Sequence, residues 1–272
     1  MPDEMVRGDA ADGWVAVKRG KGSRQPCSAP RQPLPDRHIT VQTLKAQYNR
    51  DMRVWKGSTC RKEFRQILDK KQPDEGWQIK EAICFASGSF SRDNWEAQKR
   101  SMLQFIAFMD TVQHIQTSSS DKIDVFAQEP MYTPVDVEFL SGMGIKVYSM
   151  RAVQCNMKSE SMMFELFMDM NLEAARDMVN IDPKLYIGTA LTSRLAQFSK
   201  HLTEADIREY LHIPAEMDTP AQSEKLRRDA LLLKDKFETE RLFHSFPRFD
   251  EDPKVFEGLK IYWKEPKDSE EG

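Results

Sequence analysis

The chain has 272 residues, of which 40% are hydrophobic and 31% charged, and its formal net charge at pH 7 is -3. This balance argues against a nucleic-acid-binding surface spread over the whole protein, because such surfaces are usually basic. The chain has 12 glycines, too few to favour the glycine-rich loops that many nucleotide-binding proteins wrap around phosphate groups.

The cysteines and the apolar runs indicate a cellular compartment. The four cysteines lie far apart and form no C-x-x-C pair, so neither a structural zinc site nor a disulfide framework is predicted. No run approaches the ~20 apolar residues that cross a bilayer. We therefore expect a cytoplasmic or nuclear protein, or one present in both, with no membrane partner and with nucleic acid disfavoured as a partner.

Changes in composition divide the chain into five predicted segments. Polar and basic residues dominate the start, helical periodicity follows, strands and helices then alternate, and the end is helical and strongly charged. The segments are a disordered leader at 1–38, a helical segment packing on the core at 39–76, an α/β core at 77–200, C-terminal helices and an edge strand at 201–264, and a charged tail at 265–272.

The segment 39–76 has the periodicity of two helices. Leu44, Tyr48 and Met52 recur every four residues, which places them on one face of a helix. The Gly57-Ser58 pair interrupts the pattern, so we expect one helix to end there and a second to begin.

Strands and helices alternate five times in the next part of the chain. Short apolar runs without polar alternation are typical of strands buried on both faces. The pattern predicts an α/β fold, a Rossmann-like, mostly parallel sheet with helices on both faces and helical extensions at both ends. The predicted core strands are 82–86, 123–127, 146–150, 163–168 and 184–188, and 259–263 is predicted as an edge strand.

Several helix ends carry capping signals. Asp93 and Glu96 have the spacing of a capping box, in which each side chain accepts from a free main-chain amide. Thr133 followed by Pro134 is typical of an N-cap and first helical position. Thr219 and Gln222 form a second predicted box.

The loop Ser87–Ser91 follows the first strand, where a dinucleotide-binding fold places its phosphate loop. Its single glycine, Gly88, departs from the G-x-G-x-x-G fingerprint. Two interpretations remain open. The loop either holds a small anionic or nucleotide-like ligand, or is a capped turn between a strand and a helix.

Glu129 ends the second predicted strand. An acidic residue there can accept hydrogen bonds from ribose hydroxyls, and it can equally cap a neighbouring loop. Ligands of parallel sheets bind at the carboxyl ends of the strands, so the candidate ligand-binding residues are those at the predicted strand ends. They are Ser87, Gly88, Ser89, Phe90, Ser91, Glu129, Tyr132, Thr133, Gly188 and Thr189.

The sequence identifies no catalytic residue, no metal ligands and no cofactor. The acidic segment 169–173 superficially resembles a calcium loop, but it lacks the required glycine and the final glutamate. Cys84 lies inside an apolar run, where a thiol is usually an inert packing group. The methionine-rich segment 157–170 is interpreted as core.

Three segments together resemble the SRR-like domain, named for "sensitivity to red light reduced". The run 82–91 resembles the family's first motif, an apolar strand followed by G-x-G-S-F-S. The run 128–133 resembles the second, an apolar strand ending in D-P-x-F-[ST], and 138–147 is similar to a third. Trp14–Val17 and Leu259–Lys264 are similar to flanking elements, the latter as in fungal members.

The chain departs from the family pattern at three places. Ala86 replaces the first glycine, and Glu129 replaces an aspartate. Many members carry P-H-C-P after the fourth strand, whereas this chain has neither histidine nor cysteine in 168–171. A metal or haem role that rests on that segment is therefore not expected here.

The resemblance implies a regulatory protein acting in stress, growth or circadian-type responses. Because the loops 87–91 and 128–133 both lie at predicted carboxyl ends of strands, we expect it to act through a small nucleotide-like ligand, a protein partner or both. Two alternatives remain. One is a nucleotide- or S-adenosylmethionine-dependent transferase on the same fold. The other is an interaction scaffold that uses the C-terminal helix around Leu226, Leu233 and Phe237. The sequence identifies neither the ligand nor the partner, and it does not indicate the oligomeric state.

Overall fold

A seven-stranded mixed sheet organises the part of the chain that the structure, a computed structural model, describes. That part consists of residues 33–36, 38–92, 94–118, 121–148, 157–166, 172–189 and 219–264. Three predicted features lie wholly or partly outside it: the leader up to residue 32, residues 169–171 of the calcium-like segment 169–173, and the charged tail 265–272.

The described elements follow the predicted alternation of helices and strands. The helices are α1 Val41–Gly57, α2 Thr59–Lys71, α3 Trp95–Gln116, α4 Pro134–Ser141, α5 Leu172–Ile181 and α6 Thr219–Thr239. The strands are β1 Glu81–Phe85, β2 Asp124–Gln128, β3 Lys146–Val147, β4 Ser161–Glu165, β5 Leu185–Thr189, β6 Leu242–Ser245 and β7 Leu259–Trp263.

The strand order is β3-β2-β1-β4-β5-β7-β6. The first five strands are mutually parallel, whereas β7 pairs antiparallel with both β5 and β6. From β1 the chain proceeds outward through β2 and β3, then returns to place β4 on the other side of β1. The boundary between β1 and β4 is thus a topological switch point, where doubly wound folds open a ligand crevice. The predicted Rossmann-like fold is confirmed.

Helices cover both faces of the sheet because alternate residues of each buried strand point to opposite sides. Cys84 of β1 belongs to the larger core, together with Leu44 of α1 and Phe105 of α3. Its neighbour Phe85 belongs to the second core, together with Phe237 of α6. The two cores are the two sides of one sheet.

Ser58 separates the first two helices, as the Gly57-Ser58 break predicted. Its backbone is extended, its Oγ accepts a hydrogen bond from the Arg61 amide at the start of α2, and its main-chain amide donates to Trp55. Trp55 and Leu44 are fully buried, so the paired helices contribute to the larger core.

The segment Leu259–Trp263 is not the predicted edge strand. It lies between β5 and β6, and its Tyr262 is buried against Phe237. The apparent alternation arose because Lys260 alone is partly exposed among apolar neighbours. The edge at this end of the sheet is β6, whose four residues are all exposed, and its two adjacent apolar residues, Leu242 and Phe243, followed by His244 and Ser245, give no alternating strand pattern.

Two further boundaries differ from the prediction. The cap of α3 is Asn94, whose side chain accepts from the Ala97 amide, whereas the predicted Asp93 lies outside the described residues. Strand β4 is Ser161–Glu165, whereas 163–168 was predicted. The prediction started too late because Ser161 is polar in the sequence but fully buried in the strand. The methionines at 162 and 163 are buried, as expected of a core segment.

Candidate functional site

The two predicted loops meet at the carboxyl edge of the sheet. Strands β1 and β2 are parallel neighbours, so the residues that follow them leave at the same edge. The Gly88 amide donates to Glu129 Oε2 across 3.1 Å, and the hydroxyls of Ser87 and Tyr132 lie 2.6 Å apart. The structure therefore brings these four predicted residues together.

A buried carboxylate that sequence reasoning missed joins the loops further. Asp136 is fully buried and accepts hydrogen bonds from the Ser89 hydroxyl at 2.6 Å, the Phe90 amide at 3.2 Å and the Thr133 amide at 2.9 Å. Thr133 caps α4 and Asp136 is the third residue of that helix, so the pair forms a capping box. The spacing of Thr133 and Asp136 was the available signal.

The serine hydroxyls of the first loop serve its internal structure. Ser89 and Ser91 are at most 1% exposed. Ser89 Oγ donates to Asp136 and accepts from two main-chain amides, and Ser91 Oγ lies 2.7 Å from Thr133 Oγ1. These contacts favour the capped-turn interpretation for Ser89 and Ser91.

Glu129 uses both carboxylate oxygens to hold main-chain amides. Its Oε2 accepts from Gly88 and its Oε1 from Met131 at 2.9 Å. The Gly88 amide is the group that a dinucleotide fold would offer to a phosphate, and here it already faces a carboxylate. A phosphate at that amide would meet like charge, so this position favours a neutral or hydrogen-bond-donating ligand group.

Two ionisable groups beside the loops, Tyr132 and Cys84, are held in their neutral forms. Burial raises the pKa of Tyr132 well above its ordinary value, so the phenol keeps its proton at neutral pH. Burial, with a smaller contribution from the Glu129 charge, also raises the pKa of Cys84. A protonated thiol is a poor nucleophile, so Cys84 acts as a packing group.

The first loop turns through two left-handed residues. Ala86 has φ of 54° and Gly88 has φ of 74°. A Cβ at Gly88 would lie 2.5 Å from Ser101 Oγ in α3, which is far closer than van der Waals contact. Gly88 thus needs glycine both for its backbone conformation and for the close approach of α3.

Replacing Gly88 with alanine is expected to lower the free energy of unfolding by about 2–4 kcal/mol. Left-handed backbone costs an L-residue roughly 1–2 kcal/mol, and overpacking against Ser101 adds about as much. Chemical denaturation monitored by circular dichroism measures the loss.

The control is Gly144→Ala, because Gly144 has φ of 78° but no atom lies within 4 Å of the position that a Cβ would occupy there. It should lose about 1–2 kcal/mol from the backbone alone. In a Ser101→Ala background, the stability loss caused by Gly88→Ala should fall to the loss expected for Gly144→Ala. Equal losses for the two single variants would show that Ser101 exerts no constraint.

A second polar group stands at the end of β4. Glu165 is 1% exposed and accepts hydrogen bonds from the Tyr186 hydroxyl at 3.0 Å, the Thr189 amide at 3.1 Å and the Thr189 hydroxyl at 2.6 Å. A Cβ on Gly188 would come within 2.9 Å of Glu165 Oε2 and 2.6 Å of the Tyr186 hydroxyl. The predicted residues Gly188 and Thr189 therefore close around Glu165, which was not predicted.

Gln128, the last residue of β2, lies on the same sheet face as Glu165 but two strands away, with Phe85 of β1 between them. Phe85 of β1 pairs with Gln128 on one side and with Glu165 on the other, so the three side chains share the face of the second core. Gln128 is 3% exposed, yet its Oε1 has no hydrogen-bond partner within the described structure. A buried amide oxygen without a donor is costly, so a donor supplied by a ligand would be stabilised there.

The described residues contain no group of three or more histidine, cysteine, aspartate or glutamate side chains arranged to hold a metal ion. They also contain no helix long and apolar enough to cross a membrane. The segments 149–156, 167–171 and 190–218, which come after β3, β4 and β5 in the sequence, lie outside the described ranges.

Comparison with known proteins gives a family match. Residues 60–263, about three quarters of the chain, match the family model described as the SRR1 domain. This range includes both loops, Glu165 and all seven described strands. No curated protein and no solved structure matches the chain.

Proposed function

The chain belongs to the SRR1 domain family, and from this premise we propose that it is an intracellular regulatory protein that binds a small ligand at the carboxyl edge of its sheet. The regulated responses we propose are those of stress, growth or circadian timing. An intracellular location is supported by Cys60 and Cys84, which are buried free thiols and fit a reducing compartment.

The observation that carries the ligand proposal is the unpartnered Gln128 Oε1 at the end of β2, one strand away from the switch point between β1 and β4. It lies on the same sheet face as Glu165, which accepts three hydrogen bonds and is almost completely buried. Polar side chains in a crevice outside parallel strand ends are the usual means of orienting a ligand in such folds.

The ligand chemistry follows from the charges at this edge. The Gly88 amide already donates its hydrogen bond to Glu129, and Gln128 offers a hydrogen-bond acceptor. A ligand group with N–H or O–H donors, such as a ribose or a nucleobase, suits Gln128 better than a phosphate does. We therefore propose a nucleoside-like ligand bound through its sugar or base.

A thermal-shift panel on the full chain tests this proposal. The panel contains adenosine, ATP, a nicotinamide dinucleotide and S-adenosylmethionine. A ligand at a hundred times its dissociation constant stabilises the protein by ~2.7 kcal/mol. We expect the response to disappear in Gln128→Leu, which removes the acceptor but retains an apolar side chain of similar size.

The matched control is Gln66→Leu, because Gln66 is an exposed residue of α2. It should keep the full response, and Gln128→Leu should melt no lower than the wild type because it removes an unpartnered buried polar group. No stabilisation by any ligand of the panel, or an equal response in both variants, would contradict the proposed site.

The regulatory role needs a cellular readout. Gln128→Leu expressed in place of the wild-type copy should reproduce the phenotype of a deletion in stress tolerance, growth or daily rhythm, at unchanged protein abundance. Gln66→Leu should behave as the wild type. A Gln128→Leu strain that is indistinguishable from wild type in all three traits would argue against ligand-dependent regulation.

The transferase alternative is supported by the strand order, which is that of nucleotide-binding enzymes, and by the acidic residue that follows β2. Turnover of S-adenosylmethionine or a nucleotide by the wild type would favour it. The scaffold alternative has less support. Ala230 and Phe237 of α6 pack in the second core, and Leu233 packs against that core. The apolar stripe therefore serves the fold.

A further inference from the structure

A cavity of about 520 Å³ lies between α1, the start of α3 and the segment around Phe249. This volume is within the range of small-molecule sites. Its lining combines charged, polar and apolar side chains, and its main members are Arg50, Asp51, Val54, Trp95, Lys99 and Glu251. None of these residues belongs to the loop network at the strand ends.

Asp51 is the unusual member of this lining. It is 5% exposed, and its Oδ2 has no hydrogen-bond partner in the described structure. Its Oδ1 accepts from Arg50 Nε at 3.3 Å, but the Arg50 side chain is 65% exposed. Such a solvent-exposed partner compensates a buried charge poorly. Asp51 therefore lines the cavity with a carboxylate of which one oxygen has no donor.

The walls next to Asp51 suit an organic cation. Trp95 is 69% exposed and Val54 is 42% exposed, although both are large apolar side chains. The face of an indole ring attracts cations, and an aliphatic wall accommodates the alkyl chain that carries the charge. A carboxylate and an exposed tryptophan that line one cavity form a combination that recognises ammonium and guanidinium groups.

We propose that this cavity binds an alkylguanidinium or alkylammonium group, with Asp51 as its counter-ion and Trp95 and Val54 as its apolar wall. The group donates its N–H bonds to the Asp51 carboxylate. The same chemistry occurs in a free small amine and in an arginine or lysine side chain of a polypeptide, so the test includes both sources.

Butylguanidinium and its neutral isostere butylurea distinguish charge recognition from apolar binding. In calorimetric titrations of the full chain, butylguanidinium should bind saturably, and butylurea should bind at least tenfold more weakly. A capped pentapeptide with arginine between two leucines represents the polypeptide source. Tighter binding of the peptide indicates a protein partner, and tighter binding of butylguanidinium indicates a small molecule.

Asp51→Asn should weaken butylguanidinium binding by roughly ten- to hundredfold, the range expected when a charge-assisted hydrogen bond is lost. Its melting temperature should equal or exceed that of the wild type, because a buried charge that is paired only with an exposed arginine has been removed. The matched control is Asp124→Asn, which makes the same charge change at an exposed residue at the start of β2.

Three results would overturn the proposal. The first is that neither butylguanidinium nor the peptide binds at millimolar concentration. The second is that Asp51→Asn and Asp124→Asn bind butylguanidinium equally well. The third is that Asp51→Asn binds butylguanidinium as the wild type does but melts at a far lower temperature. The last result would assign the carboxylate to the fold. The ligand panel for the strand-end site uses different residues and probes, so the two proposals stand or fall separately.

Discussion

Replacing Asp136 with alanine is expected to lower the free energy of unfolding by about 4 kcal/mol and to abolish the ligand response at the strand ends. The substitution leaves three buried donors without an acceptor, namely the Ser89 hydroxyl and the amides of Phe90 and Thr133. Each buried donor that loses its partner costs roughly 1–3 kcal/mol.

The effect on ligand binding follows from the position of Asp136 between the two loops. Ser89 and Phe90 belong to the loop after β1, and Thr133 caps the helix after β2. The carboxylate is therefore a bridge between the segments that carry Gly88 and Glu129. Without it the loops are held by fewer contacts, and the preorganisation that supports ligand binding is lost.

Glu138→Ala is the matched control, because Glu138 lies on the same helix but is exposed. It should change stability by less than about 0.5 kcal/mol and leave the ligand response intact. Asp136→Asn should be intermediate, since it keeps one acceptor oxygen. Denaturant titrations measure the stabilities. A loss no greater for Asp136→Ala than for Glu138→Ala would show that the bridge does not hold the loops.

The fold was predictable because its core strands are short apolar runs in a fixed alternation with helices. Both faces of the central strands are buried, so residues such as Ile83 are apolar at consecutive positions. The continuous apolar run is therefore enough to predict a strand. The edge of the sheet was not predictable in the same way. β6 is exposed at every residue, and its position depends on pairing with β7, which local sequence does not encode.

The site was predictable only where local sequence determines it. Thr133 and Pro134 mark a helix start, and the structure confirms that cap. The spacing of Thr133 and Asp136 indicates the local capping role of Asp136, but its contacts with Ser89 and Phe90 join distant parts of the chain. Glu165 was missed for the same reason. Glu165 is a single acid at the end of an apolar run, and its contacts with Tyr186 and Thr189 depend on the pairing of β4 with β5.

The departures from the family pattern have physical counterparts in the first loop. Ala86, which stands where the family has glycine, adopts a left-handed φ of 54° that favours glycine. Glu129 stands where the family has aspartate, and its carboxylate spans the gap to the Gly88 amide of the neighbouring loop. The chain thus has a left-handed backbone at Ala86 and a carboxylate that accepts from the Gly88 amide.

The second large effect is expected at Asp110, in α3. Asp110 is 1% exposed and accepts hydrogen bonds from Arg61 Nε at 3.0 Å and from Arg65 Nη2 at 2.7 Å, both in α2. Asp110→Asn should lower the free energy of unfolding at pH 7 by about 3 kcal/mol. Breaking a buried ion pair costs roughly 3–5 kcal/mol, and the partly exposed arginines place this one at the lower end of that range.

The loss should depend on pH in a defined direction. Burial alone would raise the pKa of Asp110, but the hydrogen bonds and charges of Arg65 and Arg61 outweigh burial and hold it below the ordinary value of 3.8. The unfolded chain therefore binds a proton before the folded protein does. The stabilisation is complete well above pH 3.8 and is lost as the pH falls through the folded pKa.

Denaturant titrations of wild type and Asp110→Asn between pH 7 and about pH 2 measure this convergence. The exposed pair of Glu160 and Lys80 provides the control, since a hydrogen bond from Lys80 also lowers the pKa of Glu160. Glu160→Gln should have a small effect that added salt removes, because exposed pairs are screened. A difference between wild type and Asp110→Asn that is constant with pH would show that packing around Asp110, and not its charge, joins α2 to α3.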